Sequence, residues 1–154
     1  HAHGGFVIGS EFSGGMKNIV VRNNTFQGTD AGLRFKSAAK RGGKSENIYI
    51  DHIYMTDITG DAITFETTYF DNHVGAKQQA APVKQEFLPD FQDIHISNVY
   101  VRGCKNGIVA HGAEGMIHDI TIKDCNIFYN KNAKDIDATC KIALENVNFS
   151  TFAK

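Results

Sequence analysis

Arg34 and Lys36 flank Phe35 in the stretch 31-AGLRFKSAAKRGG-43. A guanidinium can grip a carboxylate through two parallel hydrogen bonds, and an ammonium adds a compact point charge. A fixed Arg/Lys pair therefore suits an anionic ligand. In an extended chain successive side chains point to opposite faces. Leu33 and Phe35 then share one face and the two cations share the other. If the apolar pair is core, the cations form a two-pronged claw on the outside. Taken alone, such a pair is more often a plain solvated strand face.

The elements that would position this claw come from an internal repeat. Five segments align: 19-IVVRNNTF-26, 48-IYIDHIYM-55, 94-IHISNVYV-101, 120-ITIKDCNI-127 and 142-IALENVNF-149. The first column is Ile in all five, and the third is Val21, Ile50, Ile96, Ile122 and Leu144. This period-two alternation predicts strands with one buried face. The fifth column is Asn23, His52, Asn98, Asp124 and Asn146. Asn and Asp tolerate left-handed backbone, so this column predicts a recurring bend. A second short strand follows each of the first three segments: 33-LRF-35, 63-ITF-65 and 108-IVA-110. The first-column residues lie 29, 46, 26 and 22 positions apart. No unit holds a helical period or a Leu ladder at fixed offsets. The expected fold is all-β: a right-handed parallel β-helix of about five to six coils, one domain over 1–154. A long loop insertion is expected at about 66–91, where the repeat breaks and both prolines fall.

Superposing the second strands places Lys36 over Glu66 and Glu66 over His111. The segment 6-FVIGSE-11 fits the same place, with Val7 over Arg34 and Gly9 over Lys36, where the glycine would leave open space beside the lysine. The expectation is a groove across coils with a cation pair, a carboxylate and imidazoles in reach. Lys36 and Glu66 could equally form a simple cross-strand salt bridge. His3 lies just before the groove among small neighbours that would leave its ring uncovered. Asp30 in GTDAG and Asp61 in TGDAI fall at nearly the same place on adjacent coils. Stacked, they would repel and raise one pKa, although Asp at such corners is more often a turn former. His52, His95 and His118 fit strand or loop surface.

Bulk properties narrow the classes. A 154-residue chain has room for one domain with a real core, and a net charge of −1 argues against a dedicated nucleic-acid binder. No apolar run is long enough for a membrane-spanning helix. Cys104, Cys125 and Cys140 have neither zinc-type pairing nor an even count. No His set specifies a metal, and neither a phosphate loop nor a dinucleotide fingerprint occurs, so no metal or cofactor is expected.

The pieces 3-HGGFVIGSE-11, 14-GGMKNI-19, 28-GTDAGLRFKS-37, 41-RGG-43 and 47-NIYI-50 together resemble the C-terminal portion of glycoside hydrolase family 28, the polygalacturonase-like pectin hydrolases. The family's G-H-G motif matches as Ala2-His3-Gly4, with its first glycine replaced. Its R-[IF]-K motif matches as Arg34-Phe35-Lys36. The resemblance implies a parallel β-helix that hydrolyses galacturonate-containing polysaccharide with inversion. It implies that Arg34 and Lys36 bind a galacturonate carboxylate, that His3 serves the catalytic proton inventory, and that Tyr69 flanks the sugar; Glu66, placed beside Lys36 by the stacking of the second strands, is the further substrate-binding candidate. The partner would be an acidic, oligogalacturonate-type polysaccharide and the setting secreted or periplasmic.

One departure matters. The family's acid and base aspartates come from N-T-D and D-D motifs that precede the histidine motif, and only two residues precede His3 here. The expectation is a partial chain that holds the substrate-binding half, is inactive by itself, and self-associates through an exposed first coil. The alternatives are a non-catalytic acidic-polysaccharide-binding β-helix and, third, a pectate-lyase-like enzyme.

Overall fold

The computed structural model describes residues 2–39, 41–68 and 88–151. They form nine strands: β1 (Gly4–Ile8), β2 (Met16–Gln27), β3 (Ala31–Lys36), β4 (Lys44–Thr56), β5 (Asp61–Glu66), β6 (Asp90–Phe91), β7 (Ile94–His111), β8 (Ile120–Ile136) and β9 (Ile142–Thr151). Every pairing between them is parallel. The chain is a right-handed parallel β-helix, as the columns predict.

The register reproduces the sequence columns. Ile19 pairs with Ile48, then Ile94, Ile120 and Ile142. Leu33 pairs with Ile63 and Ile63 with Ile108, while Phe35 pairs with Phe65 and Phe65 with Ala110. Inside, Ile48, Ile50, Ile94, Ile96, Ile120 and Ile122 are buried in one continuous ladder. Phe35 and Phe65 stack with centroids 4.4 Å apart and planes at 6°, and Phe91 meets both edge-on. Such stacking follows when identical residues repeat at the inter-strand distance of roughly 4.8 Å.

The bends are where the Asn/Asp column puts them. Asn23, His52, Asn98, Asp124 and Asn146 all have φ between 51° and 56°. The strand continues through each bend, so β2, β4, β7, β8 and β9 outrun the eight-residue segments of the repeat. A second left-handed column went unread in the sequence. Asn18, Asn47, Asp93 and Asp119 stand just before the first-column isoleucines with φ of 51–61°. Its signal was present, as Asn or Asp immediately before Ile on four coils. The corners are tied across coils: Asn98 Nδ2 donates to Asp51 Oδ1 at 2.8 Å, and Asn146 Nδ2 to Asp124 Oδ1 at 2.8 Å.

The sheet carrying the claw is wider than expected. Besides β3, β5, the end of β7 and β1, whose Val7 pairs with Arg34 as expected, it takes in the end of β8, where Asn132 and Lys134 pair with Asn106 and Ile108. The 132-NAKDI-136 stretch hides its strand because Lys134 stands in the column of Leu33, Ile63 and Ile108. Its ammonium lies 5.9 Å from the centre of the Phe149 ring, a cation–π partner that a β-helix end coil leaves open. Of the expected loop, Asp90 and Phe91 pair with β4 as strand β6, and Phe91 is fully buried. The stretch 69–87 lies outside the described residues, and Tyr69 with it.

Candidate functional site

The two faces of β3 divide as the alternation requires. Leu33 and Phe35 are fully buried, while Arg34 and Lys36 are half-buried on the outside. Arg34 pairs with Val7 on one side and Thr64 on the other, and Lys36 pairs with Glu66. Glu66 in turn pairs with His111. A groove of about 310 Å³ runs over these coils, lined by Asp30, Arg34, Asp61, Thr64, Glu66 and His111 among others.

His3 completes its cationic end. Arg34 Nη1 lies 2.5 Å from His3 Nε2, and His3 Nδ1 lies 3.0 Å from Asp30 Oδ2. Arginine only donates, so Nε2 must accept. The ring hydrogen then sits on Nδ1 and is donated to Asp30. The three side chains form a directed chain from guanidinium through imidazole to carboxylate. The His3 ring remains 66% exposed while bonded to two residues that line the groove, Arg34 and Asp30. The hydrogen bond from His3 holds the Asp30 carboxyl below its usual range, helped by Thr59 Oγ1, which donates to Oδ1 at 3.3 Å, and by the nearby Arg34 charge. For Lys36, partial burial and then the Arg34 guanidinium lower the ammonium's pKa. Two cations are held close together on a surface that a bound anion would relieve.

The rest of the groove is acidic or acid-paired. Glu66 Oε1 accepts from the backbone N–H of Thr68 at 2.7 Å and from the Thr68 hydroxyl. This fixes the carboxylate at the end of β5. His111 lies between two carboxylates, with Nδ1 3.2 Å from Asp137 Oδ1 and Nε2 3.4 Å from Asp135 Oδ2. Burial lowers its pKa, but the Asp137 hydrogen bond and the charges of Asp137, Asp135 and Glu66 outweigh it, and the net shift is upward. Asp137 is held low by His111 and also accepts from the Gly112 N–H at 3.2 Å. The groove is thus positive at the β1–β3 end and negative toward β8.

Two expectations need correction. Leu33 pairs with Ile63, so Asp30 aligns with Gly60 and Asp61 with Ala31. Asp30 and Asp61 are not stacked like charges; Asp61 Oδ1 instead accepts from Asn106 Nδ2 at 2.8 Å, one coil further on. Gly9 does not open space beside Lys36 either. A Cβ there would collide with the Lys36 carbonyl oxygen, and the residue sits at φ +104°. The glycine is needed for close backbone approach at the edge of β3. The motif pieces around it meet in space, since Arg41 pairs with Glu11 and donates to Ser10 Oγ at 3.3 Å. His95 stacks on Tyr49 and hydrogen-bonds to Asp93, while His52 bonds to Asp51 and His118 to Asp90 and Asp119, all on other faces.

A model of glycosyl hydrolases family 28 matches residues 2–150. This chain belongs to glycosyl hydrolases family 28. It is 33% identical over 108 residues to a polygalacturonase of Ralstonia solanacearum, covering 68% of the chain and 18% of that protein. It is 30% identical over 102 residues to an exo-poly-alpha-D-galacturonosidase of Dickeya chrysanthemi, covering 66% of the chain and 16% of that protein. Its fold is similar to the crystal structure of a hyperthermoactive exopolygalacturonase from Thermotoga maritima. The TM-score is 0.81 at 32% identity, over 96% of the chain and 31% of that structure. The family 28 chain therefore spans less than a fifth of the curated relatives it matches.

Proposed function

We propose that these residues bind the carboxylate of a galacturonate unit in a pectic polysaccharide, within a polygalacturonase-type hydrolase that cleaves with inversion. Arg34 takes the carboxylate, Lys36 adds its charge from the same strand face, and His3 and Asp30 keep the guanidinium aimed. The supporting observation is the directed Arg34–His3–Asp30 chain beside Lys36 at one end of the groove. The charge gradient gives the sugar chain a direction, since Glu66, Asp135 and Asp137 would repel a second carboxylate placed toward β8. Tyr69 is part of this proposal as an aromatic wall of the sugar site.

Inverting hydrolysis needs a carboxylic acid to protonate the leaving oxygen and a carboxylate base to activate water, about 6.5–9.5 Å apart. A proton donor wants a raised pKa. Asp30 has a lowered one, Glu66 is tied to Thr68, and Asp61 accepts from Asn106. These groups suit holding and orienting. We assign the acid and base to carboxylates outside these 154 residues, so this chain by itself should bind without cleaving. Polymeric pectin stays outside cells, so a secreted or periplasmic setting belongs to the same proposal.

The test is calorimetric titration of the 154-residue protein with trigalacturonate and with a neutral galactotriose. Binding of the acidic sugar alone, weakened by salt and lost in Arg34→Ala, is the expected result. Equal affinity for both sugars would refute the carboxylate site. Reducing-end release by this chain would refute the assignment of acid and base elsewhere.

A further inference from the structure

A second outward face lies one corner away from the groove. Past the left-handed bends, β2, β4, β7, β8 and β9 each present two outward positions, in the registers of Tyr54–Tyr100–Asn126 and Thr56–Arg102–Phe128. Tyr54 and Tyr100 stack with planes at 4° and centroids 5.7 Å apart, and Phe128 extends the row, 5.8 Å from Tyr100. Tyr54 and Tyr100 are 38% and 42% exposed, which is high for rings already covered by a neighbour. Arg102, exposed, stands between Thr56 and Phe128. Among the described residues every other outward position in these two registers is Thr, Ser, Asn or Gln, and the nearest carboxylate is that of Asp57 at the corner, which accepts from the Thr56 hydroxyl at 3.0 Å. The face before the bend differs, mixing Arg22, Asp51, Lys123 and Glu145 in one row. Where the aromatic face ends at Gly103, a cavity of about 410 Å³ is lined by Lys105, Lys131 and Asn130, with Asp57 as its one acidic wall.

We propose that this face is a second polysaccharide-binding surface, taking a uronate-bearing chain along the aromatic row. The exposed rims of Tyr54 and Tyr100, with their phenol hydroxyls, and the partly exposed Phe128 give a sugar chain a rigid amphipathic ledge. The amides and hydroxyls around them match sugar hydroxyls. Arg102, with Lys105 and Lys131 beyond it, supplies the charge complementary to sugar carboxylates. The ligand class rests on the reading of the groove given above, but none of its residues do. Two sites on one frame would raise retention on long polymer well above that on short oligomers, because the second contact is made at high effective concentration.

The experiment compares the 154-residue protein and its variants for retention on immobilised polygalacturonate and for calorimetric binding of trigalacturonate. Tyr100→Ala/Arg102→Ala should lose at least five-fold in polymer retention with trigalacturonate binding at the groove unchanged. Arg102→Glu alone, at an exposed position, should lose a similar factor without any change in thermal melting. Arg34→Ala should keep a residual polymer affinity that disappears when the two changes are combined. Unchanged polymer retention in Tyr100→Ala/Arg102→Ala would overturn the proposal. So would a wild-type dimer that these substitutions convert to monomer in sedimentation, which would make the face a contact between copies. If Arg34→Ala leaves trigalacturonate binding intact while Arg102→Glu still loses polymer retention, the groove reading fails and this one stands.

Discussion

Arg34 donates to Nε2 of His3, a residue 31 positions earlier and one coil away, and that bond sets which nitrogen of His3 carries the hydrogen. The remaining N–H faces Asp30. Aim, not charge, is what this chain of bonds supplies, because Arg34 is cationic with or without it.

His3→Ala should therefore weaken trigalacturonate binding about five- to thirty-fold while leaving its salt dependence in place. The loss of a hydrogen bond to a charged group is on the order of 1–2 kcal/mol at such an exposed site. Arg34→Ala should remove most of both. Calorimetry at two salt concentrations separates the two outcomes.

Lys36 should report the neighbouring charge directly. Burial and then Arg34 depress its pKa, so Arg34→Ala should move the ammonium back toward the ordinary lysine value, and so should a bound uronate. Titration of the lysine side-chain resonances follows both shifts. No upward movement on adding trigalacturonate would argue that its carboxylate sits elsewhere.

His111 titrates above the usual histidine range, so its protonated form is favoured by folding. Its contribution to stability is complete below the unfolded-state value near 6.5 and fades as pH rises through the higher folded value. In Asp137→Asn the folded pKa should fall, and the pH dependence of the melting temperature over this window should flatten. Imidazole chemical shifts and melts from pH 5 to 9 check it.

Asp51 gives the opposite sign. Hydrogen bonds from Asn98, His52 and Ser97 hold its carboxyl down to about 2. Its stabilisation is present above the unfolded-state value near 4 and is lost as pH falls toward 2. Asn98→Ala should cost about 1–2 kcal/mol, from the left-handed backbone and the lost bond together, and Asn98→Gly should cost less because glycine tolerates that backbone. It should also shift the acid unfolding midpoint upward in both variants.

Phe65→Ala removes one ring of the stacked Phe35–Phe65 pair, which Phe91 meets edge-on. A fully buried phenylalanine truncated to alanine costs about 3–5 kcal/mol. Denaturant unfolding should show that loss, with the ligand site of any remaining folded protein weakened as β3 and β5 lose their common support.

The solenoid was legible because its signal is repetition. Five Ile at equivalent places give the ladder, and five residues prone to left-handed backbone give the corner, His52 included. The claw followed from simple alternation around Phe35. What escaped was set by partners rather than by residue type. The separation of Asp30 from Asp61 depends on a register that places Asp30 over Gly60, one residue from the placement suggested by the similar strings GTDAG and TGDAI, and the bond from His3 to Asp30 follows from the β1–β3 register, in which Gly4 pairs with Ala31. The last strand of the groove sheet carries Lys134 in an apolar column, where it is exposed and sets its ammonium over the Phe149 ring. The roles of Asp135 and Asp137 are visible only once His111 is seen between them.

The distance between successive first-column isoleucines varies from 22 to 46 residues, yet their pairing never slips. Length added to a connector is absorbed outside the frame. A lineage can therefore rewrite what surrounds the groove, lengthening or trimming one turn at a time, and the spacing between Arg34, Glu66 and His111 is inherited unchanged. Preference among decorated sugars and persistence of the anion clamp are, in this architecture, free to evolve separately.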